Sequence, residues 1–171
     1  MDTIVYFVGQ GLGIVAIALG FLSYQMKTRE GLVFAQFATA ICFVLHYLMF
    51  GAYSGMALNI ISVIRNYVYF QLGKKGSVAK VWAVVFSVIM GAIGILSWQN
   101  WYSIFVVLGL IINSYCMSFS NPQSIRKSIL VTSPLVLIYD VLVLSVGGAV
   151  YESIAIISAV IGILRTKRKQ A

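Results

Sequence analysis

The chain predicts an all-α transmembrane protein: seven helices arranged as two parallel three-helix repeats joined by a linker helix. Three observations lead there. Of its 171 residues, 61% are hydrophobic and only 9% charged, at a mean hydropathy of +0.97. A soluble domain of this size cannot hide that much apolar surface. The apolar residues fall into seven runs, each near the roughly 17–25 residues that a bilayer-spanning helix needs. Every Lys and Arg except Arg65 lies between or beyond those runs. The net charge of +8 therefore reports topology, and no nucleic-acid partner is expected.

The first span is predicted at 4–25, closed by Lys27-Thr-Arg-Glu-Gly31. The second covers 32–50 and the third 56–72, joined by a tight turn at Gly51 to Gly55. Gly73 to Lys80 ends the third. The fourth covers 81–97, the fifth 102–119, the sixth 128–146 and the seventh 148–164, before a basic tail. With the N-terminus outside and the C-terminus inside, the inner segments are 26–31, 73–80, 120–127 and 165–171. They hold all the cations outside the spans, whereas a wrong helix count would scatter them. Tyr53, Trp98, Trp101 and Tyr102 fall at the outer interface, as an aromatic belt requires. The N-terminus lacks a basic region before its apolar run, so no removable signal peptide is expected. Cys42 and Cys116 lie inside apolar runs and read as small buried hydrophobes, with no metal or cofactor expected.

The spans differ in character. The fourth carries only Ser87 as a polar side chain within the membrane, plus Gly91 and Gly94, which suits a connector lining no pathway. Polar residues gather in spans one to three and five to seven. The division is then 1–80 for the first repeat, 81–97 for the linker helix, and 98–171 for the second repeat with its tail. Parallel triple-helix repeats need such an odd linking helix. A weak internal similarity agrees: Gln25 superposes on Gln123, and Leu58–Ile64 on Ile154–Val160. The turn between spans two and three matches Gly147-Gly148, with an offset that drifts by a few residues.

The seven-span division, Pro122-Gln123 after span five and Tyr24-Gln25 after span one resemble the PQ-loop superfamily. That superfamily includes the SWEET sugar facilitators, the PnuC vitamin transporters and lysosomal amino-acid exporters. More narrowly, Ser23-Tyr-Gln-Met-Lys27, the run from His46 to Gly55, and Asn59 with Arg65-Asn66 are similar to the YgjV family of bacterial inner-membrane proteins. The resemblance implies a SWEET-like fold, multi-pass insertion in the bacterial inner membrane and a transport class, but no particular solute. It also implies hinges. SWEET-like transporters bend at prolines, and here only Pro122 and Pro134 exist, both in the second half. The hinge candidates are therefore Pro122, Gln123, Pro134 and Gln25, with Gly9, Gly11, Gly13 and Gly20 softening span one.

Ionisable groups at mid-bilayer cost about 2.5–3.5 kcal/mol on insertion scales, so each needs a reason. On span three, Asn59, Ser62 and Asn66 fall within about 60° of one another and form a polar stripe, with Arg65 at its edge. Gln36, Thr39 and His46 share a face of span two. Ser133 and Asp140, seven apart on span six, share another, beside Tyr139. Span five offers Asn113 and Ser114, and span seven begins with Tyr151-Glu152. The expectation is a central cavity where Asn59, Ser62, Asn66, Asn113, His46 and Arg65 bind a solute. Asp140 and Glu152 either neutralise Arg65 or couple protons. Plainer roles stay open: Arg65 locked to an acid, Asn59 as an interhelical bond, His46 hydrogen-bonded near the interface, Glu152 exposed at the outer mouth. Gly9-Gln-Gly-Leu-Gly13 is read as helix packing and not as a phosphate loop, since no strand precedes it.

The function expected is a transporter or facilitator of a small polar solute, working by alternating access between the repeats. The alternative is a non-transporting membrane receptor or assembly factor with the same fold. With one histidine and no nucleophile–base pair, an enzyme is not expected. The partners expected are the lipid bilayer and the solute, with a homo-oligomer left open.

Overall fold

The structure, a computed structural model, describes residues 3–49, 53–75, 80–96, 98, 100–142 and 146–168. The apolar runs become seven helices: α1 (Thr3–Gln25), α2 (Arg29–Met49), α3 (Tyr53–Lys74), α4 (Lys80–Leu96), α5 (Ser103–Cys116), α6 (Pro122–Leu142) and α7 (Val146–Lys167). No strand occurs among the described residues.

Where the helix ends depart from expectation, capping chemistry explains it. The second helix starts at Arg29 and not at residue 32, because the Thr28 hydroxyl accepts the Gly31 N–H at 3.1 Å. The sixth starts at Pro122 and not at 128. Asn121 caps it by accepting the Gln123 N–H at 2.8 Å, and proline in the first turn has no N–H to lose. The fifth stops at Cys116, short of 119, and runs out in a tighter turn through Ser118 and Phe119. Of the expected turn at Gly51 to Gly55, residues 50–52 lie outside the described residues, and α3 has begun by Tyr53. Ser97 also lies outside them.

Three helices contain segments long and apolar enough to cross a membrane on their own: Ile4–Ser23, Arg29–Met49 and Gly147–Thr166. Helices α4 and α5 are apolar but have 17 and 14 residues. Helices α3 and α6 are long enough, with 22 and 21 residues, but are diluted by polar side chains. Those side chains point inward: Arg65, Asn66, Arg126 and Asp140 are all buried. The outer surface is apolar instead, with Ile4, Phe7, Ile14, Val81, Val88 and Leu96 exposed. That inversion belongs to a protein solvated by lipid.

Each helix packs chiefly on its chain neighbours, and α1 closes on α7. The helices therefore form a ring in chain order, with α2 between α1 and α3, and α6 between α5 and α7. Helix α4 leans on α5 and touches α3 lightly. Close packing along α1 follows from small residues on one face, because Gly9, Gly13, Ala16 and Gly20 are all buried. The His46 ring lies 3.1 Å from where a Gly13 side chain would begin, and Tyr151 fills the equivalent space at Gly20.

The dry core occupies one end of the ring. Tyr24, Leu32, Val33, Tyr69, Phe86, Met117, Ile125, Ile129, Ala155 and Ala159 form one cluster there. Tyr69 sews three helices together: its hydroxyl donates to the Ser114 carbonyl at 3.0 Å, and its ring meets Phe86 edge-on at 5.6 Å. This is the basic end, where 26–28, the turn at Lys75, 117–121 and Arg168 lie.

Two basic residues expected as loop cations are instead structural. Arg29 and Arg126 are 6% and 3% exposed. Arg29 Nε donates to the Phe119 carbonyl at 2.8 Å and Nη1 to the Tyr69 carbonyl at 3.0 Å, tying α2 to the ends of α5 and α3. Arg126 Nε donates to the Tyr24 carbonyl at 2.7 Å, Nη2 to the Met26 carbonyl, and Nη1 to the Thr166 hydroxyl at 3.4 Å. It ties α6 to the ends of α1 and α7. Glycines make room for both: a side chain at Gly73 would strike the Arg29 guanidinium, and one at Gly162 would strike Arg126 and the Tyr24 carbonyl. A charge-assisted bond contributes about 1.5–3 kcal/mol, and a helix C-terminus favours a cation.

Replacing Arg126 should therefore cost far more than replacing its exposed neighbour Lys127. In unfolding titrations of the purified protein in detergent, Arg126→Ala is expected to lose about 2–3 kcal/mol. Lys127→Ala should lose almost nothing, and Arg126→Lys should recover only part, since lysine lacks the planar fork. Equal losses at 126 and 127 would contradict the structural role.

Candidate functional site

Above the core, the ring encloses a cavity of about 480 Å³, within the roughly 300–1,000 Å³ of small-molecule sites. Six helices supply its walls, and α4 supplies none. Every predicted solute-site residue reaches it: His46 from α2, Asn59, Ser62, Arg65 and Asn66 from α3, Asn113 from α5, with Asp140 from α6 and Glu152 from α7.

The α3 wall follows from helical spacing. Asn59, Ser62 and Asn66 recur at three and four residues and so face one way. Ser62 bonds back to the Leu58 carbonyl at 3.1 Å, which satisfies its hydroxyl proton within the helix. Arg65 Nε donates to the Asn66 side-chain oxygen at 3.2 Å, and both residues are buried. No ion pair joins Arg65 to an acid among the described residues, and Tyr24 and Tyr151 line the cavity with it. The structure thus brings Arg65, Asp140 and Glu152 into one cavity without joining Arg65 to either acid.

On α2, His46 meets the Gly9 carbonyl through Nδ1 at 2.8 Å, so that nitrogen carries the proton. The small residues of α1 permit this approach, which fixes the imidazole against the wall. Gln36 lies deeper, donates to the Ser23 hydroxyl at 2.7 Å and faces both Tyr24 and Tyr151. On α6, Ser133 faces the Glu152 carboxyl. The Asp140 carboxyl lies flat against Gly148, where an added side chain would begin 2.6 Å from it.

The hinge candidates separate. Pro134 sits inside α6 beside Ser133 and the cavity, and it removes one backbone hydrogen bond there. Pro122, Gln123 and Gln25 lie at the basic end. Gln25 ties α1 to α7, donating to the Ser158 carbonyl at 2.8 Å and its hydroxyl at 3.0 Å. Gln123 Oε1 is buried with no partner among the described residues.

Gln10 and Tyr24 line the cavity but were not among the predicted site residues. A sequence signal existed: Gln10, Ile17 and Tyr24 recur every seven residues on α1 and all three line the cavity. Apolar surroundings masked it, because tyrosine counts as hydrophobic in any composition scan.

Residues 7–170 match the model of a family described as Imp-YgjV, bacterial inner membrane protein. No curated protein and no solved structure matches the chain.

The cavity's polarity can be read by chemistry at single sites. In a chain with Cys42 and Cys116 replaced by Ala, Asn113→Cys and Ser62→Cys face the cavity, whereas Ile112→Cys faces the apolar outside. A membrane-impermeant thiol reagent should modify the first two about tenfold faster than the third, because thiolates form only where water reaches. Equal rates would mean that the α3 stripe and Asn113 pack dry.

Proposed function

The chain belongs to the Imp-YgjV family of bacterial inner membrane proteins, and from that premise we propose that it is a transporter of a small polar solute. All seven helices span the membrane in this reading, with the N-terminus outside and the basic end in the cytoplasm. The burial of polar residues on α3 and α6 supports counting those helices as spans, since their low hydropathy comes from side chains turned away from lipid. The clustering of Lys and Arg at one end supports the orientation.

The reading also takes the helices as two repeats, α1–α3 and α5–α7, linked by α4. Each triple packs with its middle helix between the other two, and α4 stays outside the cavity wall. Arg29 and Arg126 are equivalent in this scheme. Each sits near the start of its repeat's second helix, and each binds the end of its own third helix and the other repeat's first. Such reciprocity is what a pseudo-twofold axis produces, and it supports the kinship with the PQ-loop and SWEET-like transporters.

The carrying observation is the cavity itself. It lies between the repeats, is lined by polar groups from both, and is floored at the basic end by the dry core and the two arginines. A site that closes on one side and is bounded by two similar halves suits alternating access, in which the halves rock about a bound solute. Pro134, in the wall of the second half, is a place where α6 can bend.

Purified protein in liposomes, assayed for uptake across a panel of small metabolites, tests this. Flux should appear for at least one polar solute, and Asn113→Ala should lower it about tenfold, as expected for one lost hydrogen bond of about 1.4 kcal/mol. Folded protein that binds a panel compound without moving it would favour a receptor or assembly factor.

A further inference from the structure

The cavity is lined by a basic group and two acidic ones, and among the described residues no ion pair joins Arg65 to either acid. Arg65 is 6% exposed and Asp140 is 8% exposed, and both line it. Arg65 Nε donates to Asn66. Asp140 on α6 and Glu152 on α7 line the same cavity, with Ser133 beside Glu152.

The charges are also ordered in depth. Arg65 stands twelve residues past the start of α3 at Tyr53, whereas Glu152 stands six past Val146 and Asp140 two before Leu142. At about 1.5 Å per residue, Arg65 lies about 18 Å in from its helix end, Glu152 about 9 Å and Asp140 about 3 Å. Positive charge sits deep and negative charge sits near the mouth. Tyr24 and Tyr151 line the same cavity.

Each class of solute can be weighed against that arrangement. A neutral polyol leaves the buried guanidinium without a counter-charge and the two acidic groups without a cation, which is the costly outcome for groups out of water. A simple anion satisfies Arg65 but meets two carboxylates on its way in. A simple cation satisfies the acids but leaves Arg65 alone. A molecule with an anionic group at one end and an ammonium at the other answers both poles without changing the cavity's net charge.

We propose that the cavity binds a small zwitterion, with its carboxylate on Arg65 and Asn66 and its ammonium on Glu152 and Asp140. This rests on reading the cavity as a solute site. Arg65 supplies a fork that two carboxylate oxygens can accept together. Asp140 lies in the cavity wall against the bare backbone of Gly148, where a side chain would displace its carboxyl.

The full chain in detergent tests the assignment by thermal unfolding with defined compounds. The set comprises an α-amino acid, an ω-amino acid of similar size, the matching amine, the matching acid and a polyol. At least one amino acid should raise the unfolding temperature at about tenfold lower concentration than the amine, acid or polyol. Arg65→Gln should erase the preference for the amino acid over its amine. Glu152→Gln should erase the preference over the acid. Should either variant fail to fold, the wild-type ranking alone decides. A polyol, acid or amine as effective as the amino acids overturns the assignment, and so does the absence of any amino-acid effect. Binding of an amino acid without its flux into liposomes leaves the zwitterion site standing and removes the transport reading instead.

Discussion

Two buried arginines hold the ring shut at its basic end, and much of the remaining structure follows from their needs. In a bilayer, helices gain little by burying apolar faces against one another, because lipid is equally apolar. Directional contacts must then decide which helices meet. Arg29 gathers the ends of α2, α3 and α5, and Arg126 those of α6, α1 and α7. Between them they touch every helix except α4. Arg126 satisfies the Tyr24 and Met26 carbonyls, which the α1 C-terminus leaves without intrahelical donors, and Arg29 satisfies the Phe119 carbonyl just beyond α5. Gly73 and Gly162 are the space this requires.

With that end fixed, the other has room to differ. The dry cluster around Tyr24, Tyr69, Ile125 and Ile129 fills the ring just above the arginines. Farther along, the inward positions change from Leu, Val and Ile to Asn, Ser, Gln, Tyr and acid, and the ring stops packing solid. Polar side chains in this half face one another across space instead of facing lipid. The cavity is therefore a consequence of composition at inward positions. The same residues that lower the hydropathy of α3 and α6 are the ones that line it.

The sequence made the helices and most of the cavity wall legible. Apolar run length located every helix, and the three-and-four spacing of Asn59, Ser62 and Asn66 put them on one face before any neighbour was known. Helix starts were harder, because Thr28 and Asn121 act as caps through a single side-chain oxygen, a signal that apolar run length ignores. Arg29 and Arg126 were misread for a deeper reason. Cations near span ends usually serve topology, and nothing local marks the few that turn inward to bind carbonyls forty to a hundred residues away. Pairing is a long-range fact. So is the separation of Arg65 from Asp140 and Glu152: their shared cavity could be read from faces and depths, whereas the lack of an ion pair depends on how the three helices are spaced.

The two arginines are alike in placement but unequal in satisfaction. All three donor nitrogens of Arg126 find partners, while Arg29 Nη2 is buried without one among the described residues. A buried donor left unmet costs about 1–3 kcal/mol, a cost that the Arg126 guanidinium does not carry. Helix α6, which carries Arg126, also contains Pro134. The first half has no proline and instead carries the glycine-lined face of α1. The helices that the two arginines hold therefore differ in build: α1 packs closely through its small residues, whereas α6 lacks one backbone hydrogen bond near its midpoint. The two halves share an arrangement of contacts, yet the helices that carry it differ.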